Sequence, residues 1–262
     1  MIPKPKHLNL HYATQFKDES VVAAYRYRPP YPDEVFTILT SLISHKPAKV
    51  LDVGCGAGNI ARPLARLVDE VDAVDFSQQM IAKGKALPGG DEANLNWIDG
   101  PVEEAPLSPP YALITAGQSL HWMAWEIVFP RFQNLLMPGG YLALIGLNFS
   151  PVPWGAELDQ LISRYSTNRD YQPYNLVAEL EARSLFTKVG ERQTVPQPFQ
   201  QTVDAYVESF HARNGFSRQR MAAKMADAFD TAVHTLVSPY HPDGVFEIQV
   251  SGHVTWGIPH AV

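Results

Sequence analysis

The sequence predicts an α/β protein built on a mostly parallel, doubly wound sheet with an added helical lid. Apolar, strand-like segments alternate with amphipathic, helix-like segments between about residues 49 and 148, and the connections between them are short. Such alternation is typical of parallel strands whose two faces are covered by helices. After residue 150 the pattern becomes mainly helical, which predicts an elaboration added to the core.

The core elements follow in order from the hydrophobic pattern. Asp33 is a candidate N-cap of a first helix, because Phe36 and Leu39 recur behind it at helical spacing. The predicted turn Met137-Pro138-Gly139-Gly140 ends one helix and begins the strand after it. We predict strands at 49–54, 71–75, 95–99, 111–117 and 140–148, and helices at 58–68, 77–87 and 124–136.

The remaining segments form an arm, a lid and the end of the sheet. Residues 1–32 are predicted to be irregular, because the prolines between residues 29 and 32 break any helix. Residues 186–201 look extended, and the tail from Val245 alternates as a terminal strand, which gives seven strands. Helices are expected at 155–166, 175–184, 203–212 and 217–236. We therefore predict an arm at 1–32, a core at 33–150 completed by 186–201 and 244–258, and helical lid insertions at 151–185 and 202–243.

Composition and charge restrict the classes of function. The chain has 262 residues, of which 45% are apolar, and a net charge of -6, so it can bury a core but has no Lys/Arg run for binding nucleic acid. The single cysteine, Cys55, excludes an internal disulfide and argues against a metal site built on thiolates. The N-terminus lacks the apolar segment of a signal peptide, and no stretch reaches the ~18–20 apolar residues of a membrane span. We expect a cytoplasmic protein with no metal and no membrane partner.

A glycine-rich turn, within VLDVGCGAGNIARPLA at 50–65, separates the first core strand from the helix after it. Its glycines can adopt positive φ and let a ligand approach the backbone, while the helix directs free N–H groups toward it. The spacing is G-x-G-x-G, and Asn59 stands where the dinucleotide fingerprint requires glycine. Because dehydrogenases and methyltransferases both use such turns, the neighbouring acids must identify the ligand.

Two carboxylates flank this turn. Asp52 directly precedes it, where a carboxylate repels a pyrophosphate but attracts an ammonium group. Asp75 ends the next strand, where an acid can accept both ribose hydroxyls. The alternative for Asp75 is a helix N-cap, although Ser77 is the better candidate for that role. The combination favours a ligand with an ammonium group, a carboxylate and a ribose but no phosphate, which is S-adenosylmethionine.

At these residues the chain resembles the class I S-adenosylmethionine-dependent methyltransferases. The segments that carry the resemblance are LDVGCGAG, VDFSQQMI, GPVEEAPL at 100–107, ITAGQSLHWM at 114–123 and LMPGGYLALI at 136–145. YRYRPPYP at 25–32 and the segment from Gln118 to Trp122 are most similar to the UbiE-like, type 11 group and the trans-aconitate methyltransferase-like branch. The resemblance implies a Rossmann-like fold whose C-terminal strand is antiparallel.

The resemblance also implies which residues bind the cofactor. It places Gly54, Gly56 and Gly58 beneath it, Asp52 near its amino group and Asp75 at the ribose. Pro101 stands where many relatives have Asp, so Glu103 becomes the candidate partner of the adenine amino group. The remaining implied contacts are Phe76, Met80 and Val102 near the adenine, Ala116 and Gln118 at the methionine end, and Tyr25 and Arg28 at the methionine carboxylate. Plain core packing remains open for Phe76 and Met80, as does a surface position for Arg28.

The acceptor side is expected after the fourth strand, because ligands of open α/β sheets lie at the carboxyl ends of the strands. Gln118 and His121 are the candidate catalytic residues, and Trp122, Trp125 and Trp154 are the candidate substrate contacts. His121 is either a general base, with a reference pKa of roughly 6.5, or a positioning residue. A base is dispensable for some acceptors, since alignment of an already activated methyl group supplies much of the acceleration.

The resulting hypothesis is an S-adenosylmethionine-dependent methyltransferase that O-methylates a small carboxylate or hydroxyl acceptor. We expect a small-molecule substrate and a monomer or homodimer. A non-catalytic module that binds S-adenosylmethionine remains an alternative. An NAD-dependent oxidoreductase is a weaker one, because the glycine spacing and Asp52 oppose it.

Overall fold

A computed structural model describes residues 4–261, and within them eight strands form one mixed sheet. The strands are β1 (Lys49–Val53), β2 (Glu70–Asp75), β3 (Leu95–Asp99), β4 (Tyr111–Gly117), β5 (Leu136–Phe149), β6 (Phe186–Gln193), β7 (Gln197–Thr202) and β8 (Val245–Pro259). Their order is β3-β2-β1-β4-β5-β8-β6, with β7 also paired to β8. Strands β1 to β5 are parallel, and β8 is antiparallel to its neighbours. The predicted fold class and antiparallel C-terminal strand are confirmed.

Helices cover both faces of the sheet, as the alternation predicts. Leu51 of β1 packs in one core with Phe129, and its neighbour Val50 packs in the other core with Leu39, because successive side chains of a strand point to opposite faces. The helices are α1 (Leu10–Ala13), α2 (Glu19–Ala24), α3 (Asp33–Ser41), α4 (Ala61–Ala65), α5 (Gln78–Lys85), α6 (Trp125–Leu135), α7 (Gly155–Tyr165), α8 (Leu176–Ala182), α9 (Val203–Phe210) and α10 (Ala223–Val237).

The strand order creates a crevice at the carboxyl ends of β1 and β4. The chain runs outward from β1 to β3 and then returns to the opposite side of β1 as β4. The connection that follows β1 and the connection that follows β4 therefore leave the sheet in opposite directions. A crevice remains between them at the carboxyl ends of these two strands. The glycine turn follows β1 and Gln118 follows β4, which places both predicted segments at this crevice.

The extended region predicted at 186–201 forms two strands instead of one. Gln193 pairs with His253 and Gln197 pairs with Val250, so β6 and β7 follow each other along the same side of β8. Between them Pro196 has no N–H for the ladder. This interruption accounts for eight strands where we predicted seven.

The arm is more regular than predicted. Residues 1–3 of the predicted arm lie outside the described residues, and the rest contains α1, α2 and short 3-10 turns at Lys6–Leu8, Thr14–Lys17 and Tyr25–Tyr27. The prediction of irregular structure was wrong because the prolines lie at its end, where they stop only the last turn.

Three local predictions are corrected at element ends. Asp33 is the first residue of α3, and Pro32 occupies the N-cap position. The helix predicted at 58–68 starts only at Ala61, because turns fill the glycine segment. The predicted turn at 137–140 is an irregularity inside β5, where pairing resumes at Tyr141 and Gly139 has φ of 80°.

The two predicted lid segments pack in different ways. Helix α7 joins α9 and α10 in a separate apolar core that includes Trp154, Phe210 and Phe229. Helix α8 instead packs against β6, and Leu180 belongs to the core of the sheet. The lid therefore consists of α7, α9, α10 and their connections. Within residues 4–261 no helix is both long enough and apolar enough to cross a membrane.

Candidate functional site

A cleft of about 800 Å³, including its open mouth, lies at the carboxyl ends of β1, β2 and β4. The predicted residues Gly54, Gly56 and Asp75 line it at the glycine turn. The other predicted residues on its walls are Tyr25, Arg28, Phe76, Met80, Val102, Glu103, Gln118 and Trp122.

The glycine turn is held in a left-handed conformation beneath this cleft. Gly54, Gly56 and Gly58 have φ of 63°, 55° and 74°, which other residues rarely adopt. At Gly56 an added Cβ would meet nothing closer than the Tyr25 hydroxyl at 3.8 Å, so this glycine faces open space. At Gly58 a Cβ would lie 2.5 Å from the Trp97 ring. Gly58 thus serves packing, and it does not line the cleft as the resemblance implied.

Asp75 fastens the glycine turn to β2. Its Oδ2 accepts a hydrogen bond from the Gly56 N–H at 2.7 Å, and its Oδ1 accepts one from the Ser77 N–H at 2.8 Å. Burial raises the pKa of Asp75 to about 6, although the two amides oppose the shift. Ser77 caps α5, as its hydroxyl accepts from the Met80 N–H. Asp75 is therefore left facing the cleft with further lone pairs for a ligand.

Asp52 is buried, with 1% of its surface exposed, in a smaller cavity that joins the cleft. Its Oδ1 accepts a hydrogen bond from the Thr115 hydroxyl at 2.8 Å, while its Oδ2 makes no hydrogen bond among the described residues. Burial raises the pKa of Asp52 to about 7, and the Thr115 hydroxyl and the Ala61 backbone N–H oppose the shift. A buried carboxylate oxygen without a donor is costly, so this position suits a ligand that brings an N–H group.

Arg28 lies on the wall of the same smaller cavity. Its guanidinium donates to Gln118 Oε1 and, at 3.4 Å, to the Tyr25 hydroxyl. No carboxylate among residues 4–261 lies within 4.0 Å of it as an ion pair. Asp52 and Arg28 thus present an anion and a cation to one cavity, a combination that matches the ammonium and carboxylate of an amino acid.

Gln118 adopts a backbone conformation that is unusual for its residue type. Its φ is 54°, one of two positive values at non-glycine residues in the described chain. Such strain persists where the surroundings enforce it and is concentrated at binding sites. Gln118 lines the cleft, the smaller cavity and a further cavity toward β5 and β8, so it stands where the three meet.

The opposite end of the cleft is mainly apolar. Phe76, Met80 and Val102 line it, and the Lys17 ammonium lies 4.8 Å from the centre of the Phe76 ring. Glu103 lines it as well, but its Oε1 already accepts a hydrogen bond from the backbone N–H before α6 at 2.8 Å. One oxygen of this carboxylate therefore holds α6 in place.

The arm supplies a wall of the cleft that we did not predict from the sequence. Leu10, Ala13 and Phe16 line the cleft, and the Phe16 ring lies 5.7 Å from the Trp122 ring. Their spacing of three residues is a helical period and was the available signal. Gly100, Ser119 and Met123 also line the cleft without having been predicted.

His121 lines the further cavity with Ala116, beyond Gln118. Burial, followed by the positive charge of Lys4, lowers the pKa of His121 to about 3. The imidazole is therefore neutral at neutral pH and a weak base. This favours the second of the two predicted roles, that of a positioning residue.

Two of the three tryptophans predicted to contact substrate lie in apolar cores. Trp125 is buried in the core of the sheet, where its Nε1 donates to Leu120 O at 2.9 Å. Trp154 is buried in the core of the lid, and its Nε1 donates to the Tyr206 hydroxyl at 3.5 Å. The cleft is lined by Trp122. The prediction failed because aromatic residues serve core packing as readily as binding.

No group of three or more His, Cys, Asp or Glu side chains in the described part of the chain is placed to hold a metal ion.

Comparison with known proteins gives consistent results for this region. Residues 50–140 match the model of a methyltransferase domain. The chain is 27% identical over 195 residues to an uncharacterized methyltransferase of Schizosaccharomyces pombe, an alignment that covers 72% of this chain and 74% of the relative. It is 30% identical over 183 residues to an uncharacterized methyltransferase of Mycobacterium tuberculosis, covering 69% of this chain and 64% of the relative. A trans-aconitate 2-methyltransferase of Streptomyces avermitilis is 31% identical over 102 residues, 37% of this chain and 38% of its own.

Solved structures extend the similarity of fold beyond that domain. A protein of Anaeromyxobacter dehalogenans assigned as a type II methyltransferase superposes with a TM-score of 0.61 at 20% identity, covering 89% of this chain and 99% of its own. A methyltransferase of Geobacter sulfurreducens in complex with S-adenosylhomocysteine gives a TM-score of 0.51 at 18% identity, covering 95% of this chain and 98% of its own. The arm, the sheet and the lid are thus parts of a fold that other proteins share.

Proposed function

We propose that this chain, which belongs to the class I S-adenosylmethionine-dependent methyltransferase family, transfers the methyl group of S-adenosylmethionine to an oxygen of a small molecule. The observation that carries the proposal is the pair of buried carboxylates at the glycine turn, one of which has an oxygen without a hydrogen-bond donor. A pyrophosphate would be repelled by both carboxylates, whereas an adenosyl amino acid offers a cation to one and hydroxyls to the other.

The residues on the walls fit this cofactor part by part. Asp52 Oδ2 would receive the ammonium group, and Arg28 would pair with the carboxylate. Asp75 would accept the ribose hydroxyls while it continues to hold Gly56. The apolar walls at Phe76 and Met80 suit the adenine ring. When bound, S-adenosylmethionine supplies a methyl group already activated by its sulfonium.

The chain's own contribution to the reaction is alignment and exclusion of water. The arm residues Leu10 and Phe16 close one side of the cleft, and Gln118 is fixed at its centre by Arg28. Gln118 and neutral His121 orient the acceptor, since a histidine with a pKa of about 3 is too weak a base to remove a proton from a hydroxyl group. An acceptor that is already ionised, such as a carboxylate, needs no base.

Binding of S-adenosylmethionine and S-adenosylhomocysteine by calorimetry tests the proposal. We expect micromolar affinity for both and a loss of about 10- to 100-fold in Asp75→Ala, because that variant removes the acceptor of the ribose hydroxyls. Asp227→Asn, at an exposed position of α10, is the control and should leave both affinities unchanged. Failure of the wild-type chain to bind either compound, or tight binding of NAD, would contradict the proposal.

Transfer to an acceptor separates an enzyme from a module that only binds the cofactor. Labelled S-adenosylmethionine is incubated with a panel of small carboxylic acids, phenols and amines. We expect label in a carboxylic acid or a hydroxyl compound. Among the relatives, the name of the Streptomyces protein specifies a carboxylic acid as acceptor. Label in an amine would contradict transfer to oxygen, and the absence of label from the whole panel would contradict transfer to small molecules of these classes.

A further inference from the structure

We propose that a recess between the arm, α4 and α5 binds the phosphate group of a small organic phosphate, at a site separate from the cofactor cleft. The recess has a volume of about 910 Å³ including its open mouth. Three positively charged side chains from different segments line it, and they are called the recess cations below: Arg26 of the arm, Arg62 of α4 and Lys83 of α5.

The positive charge on these walls is not balanced by acids. Arg28 adds a fourth cation to the lining, whereas Asp33 is the one acid that the described chain contributes to it. Within residues 4–261 no carboxylate forms an ion pair within 4.0 Å of any recess cation. The nearby Arg66, by contrast, pairs with Glu92 at 2.8 Å. In a chain with a net charge of -6, a concave surface with unpaired cations favours an external anion.

The recess cations are partly buried and lie close to other positive charges. Burial lowers the pKa of Lys83, and the positive charge of Arg26 lowers it further. Burial likewise lowers the pKa of Arg62, and Arg66 adds to that shift. Like charges that are partly removed from water cost free energy unless an anion lies between them. Binding of an anion in the recess would remove this cost.

Arg62 is held in place on the side of the glycine turn. Its guanidinium donates to Ala57 O at 3.0 Å, to Pro88 O at 2.7 Å and to Asn59 Oδ1 at 3.3 Å. A guanidinium has five N–H groups, so these three bonds leave two for a ligand. Because the side chain is already fixed, a ligand would bind it with little further loss of conformational entropy.

Lys83 and Arg26 line the recess from α5 and from the arm. The Lys83 ammonium donates to Val22 O, which uses one of its three N–H groups. The Arg26 guanidinium lies 4.7 Å from the centre of the Tyr27 ring, and its Nη2 donates to the Tyr27 hydroxyl at 2.6 Å. Both side chains keep further N–H groups, so donors from three segments are available to one ligand.

A phosphate group matches these donors better than other anions do. It carries a charge of about -1.5 to -2 at pH 7 and has three acceptor oxygens, so it can contact three cations at once. A carboxylate has a single charge and two oxygens and would leave part of the positive charge unpaired. The volume of the recess leaves room for an organic group on the phosphate. A long nucleic acid is disfavoured, because it needs an extended row of cations and would be repelled by the net charge of -6.

The recess and the cofactor cleft are separate sites. Neither Asp52 nor Asp75, the two carboxylates proposed to bind the cofactor, lines the recess. None of the recess cations lines the cleft or the smaller cavity. Arg28 lies at the border of the recess and the smaller cavity, and it remains the proposed partner of the cofactor's carboxylate. Both ligands should therefore bind at the same time.

Calorimetry with inorganic phosphate and with glycerol 3-phosphate tests the inference, with glycerol as the probe that lacks the phosphate. We expect one site per chain with a Kd on the order of 1 mM for both phosphates, and no binding of glycerol. Arg26→Gln and Lys83→Gln should each weaken binding by about 3- to 10-fold, and Arg26→Lys should retain most of it. Lys85→Gln, at an exposed position of α5 outside the recess, is the matched control and should leave the affinity unchanged.

Competition with S-adenosylhomocysteine locates the site. Its affinity should change by less than about threefold in saturating phosphate. Displacement of phosphate by S-adenosylhomocysteine would place the anion in the cofactor cleft and overturn the inference. It would be overturned equally by failure of the phosphates to bind at about 10 mM, by binding of inorganic phosphate alone, or by an equal loss in Lys85→Gln. If phosphate binds as expected but S-adenosylhomocysteine does not, the proposed function is wrong and the phosphate site stands.

Discussion

Burial of the Asp52 carboxyl reduces the stability of the folded chain at any pH where the carboxyl is ionised. Its pKa is raised from 3.8 to about 7 by burial, so the folded state prefers the protonated carboxyl. A group whose folded pKa exceeds its unfolded value contributes stability that is present below the unfolded pKa and is lost as the pH rises through the folded pKa. Between about pH 4 and pH 7 the cofactor-free chain therefore loses stability through this residue.

The variant Asp52→Asn should separate stability from binding. An amide keeps an oxygen for the Thr115 hydroxyl but carries no charge. We expect it to be more stable than the wild type at pH 8, by on the order of 1–3 kcal/mol in urea denaturation, and to lose this advantage at pH 4. Its affinity for S-adenosylmethionine should fall by about 10- to 100-fold, since the ammonium loses its anion. If the variant is instead less stable than the wild type by the same amount at pH 4 and at pH 8, Asp52 serves the structure and not the binding of a ligand.

Binding of S-adenosylmethionine by the wild-type chain should itself depend on pH. The ammonium group favours ionised Asp52, so affinity should fall as the pH drops from about 7 to 5.5, by roughly tenfold. Calorimetry across this range measures the effect, and Asp52→Asn should show a flatter profile. An equally steep fall in that variant would assign the titration to another group.

His121 is expected to act without transferring a proton. Replacement by Asn keeps a polar side chain of similar reach, so kcat should fall by less than about tenfold, against the 10²–10⁴-fold loss typical of a missing general base. The pH profile of kcat/KM between pH 6 and pH 9 should have the same shape in both proteins, because the imidazole does not titrate there. The disappearance of a titration step in His121→Asn would identify it as the base.

At the scale of elements, Gly56 and Gly58 of the glycine turn both need a positive φ, but only Gly58 is also restricted by a neighbouring side chain. Gly56→Ala adds a methyl group to open space beside Tyr25, so we expect a cost of about 1–2 kcal/mol for the backbone conformation and at least a tenfold loss in cofactor affinity. Gly58→Ala places a methyl group against Trp97, so the stability loss should be larger, about 2–4 kcal/mol. Urea denaturation and calorimetry on both variants measure this contrast. Equal stability losses would contradict the difference in surroundings.

The sequence predicts well those elements whose pattern is local. Strands β3 and β4 have the predicted bounds, and Asp75, Gly56 and Gln118 lie in the cleft, because a strand end and the turn after it fix where a side chain is placed. Trp154 was misassigned because only tertiary packing decides whether an aromatic residue faces a core or a ligand. The separation of β6 from β7 and the place of α8 depend on the partner β8 and the sheet face, which no local pattern contains.

At the scale of the whole molecule, the arm joins the cleft to the lid. Asp18 of the arm accepts hydrogen bonds from the Ser217 hydroxyl at 2.6 Å and from Arg220 at 2.7 Å. Tyr12 donates at 3.0 Å to Asp170, which lies in the connection between α7 and α8. The short segment of the arm that lines the cleft is therefore also bonded to the lid and its connections.

Asp18→Asn should weaken the attachment of the arm to the lid. The variant weakens the pairing to Arg220, so we expect faster amide exchange in residues 10–28 and 213–220 together and a loss of about three- to tenfold in affinity for S-adenosylhomocysteine. Glu92→Gln, which removes the exposed pair with Arg66 away from the arm, is the control and should have neither effect. Faster exchange in the arm alone would show that arm and lid move separately.

The pairing of β7 with β8 brings the two ends of the segment 203–244 together. Thr202 and Val245 are partners in the ladder, and the Val203 N–H donates to Gly244 O at 2.9 Å, so the chain leaves the sheet and re-enters it at adjacent positions. Everything between them is, for the sheet, a single long hairpin loop. The loop can therefore be lengthened, shortened or exchanged without shifting the register of any strand.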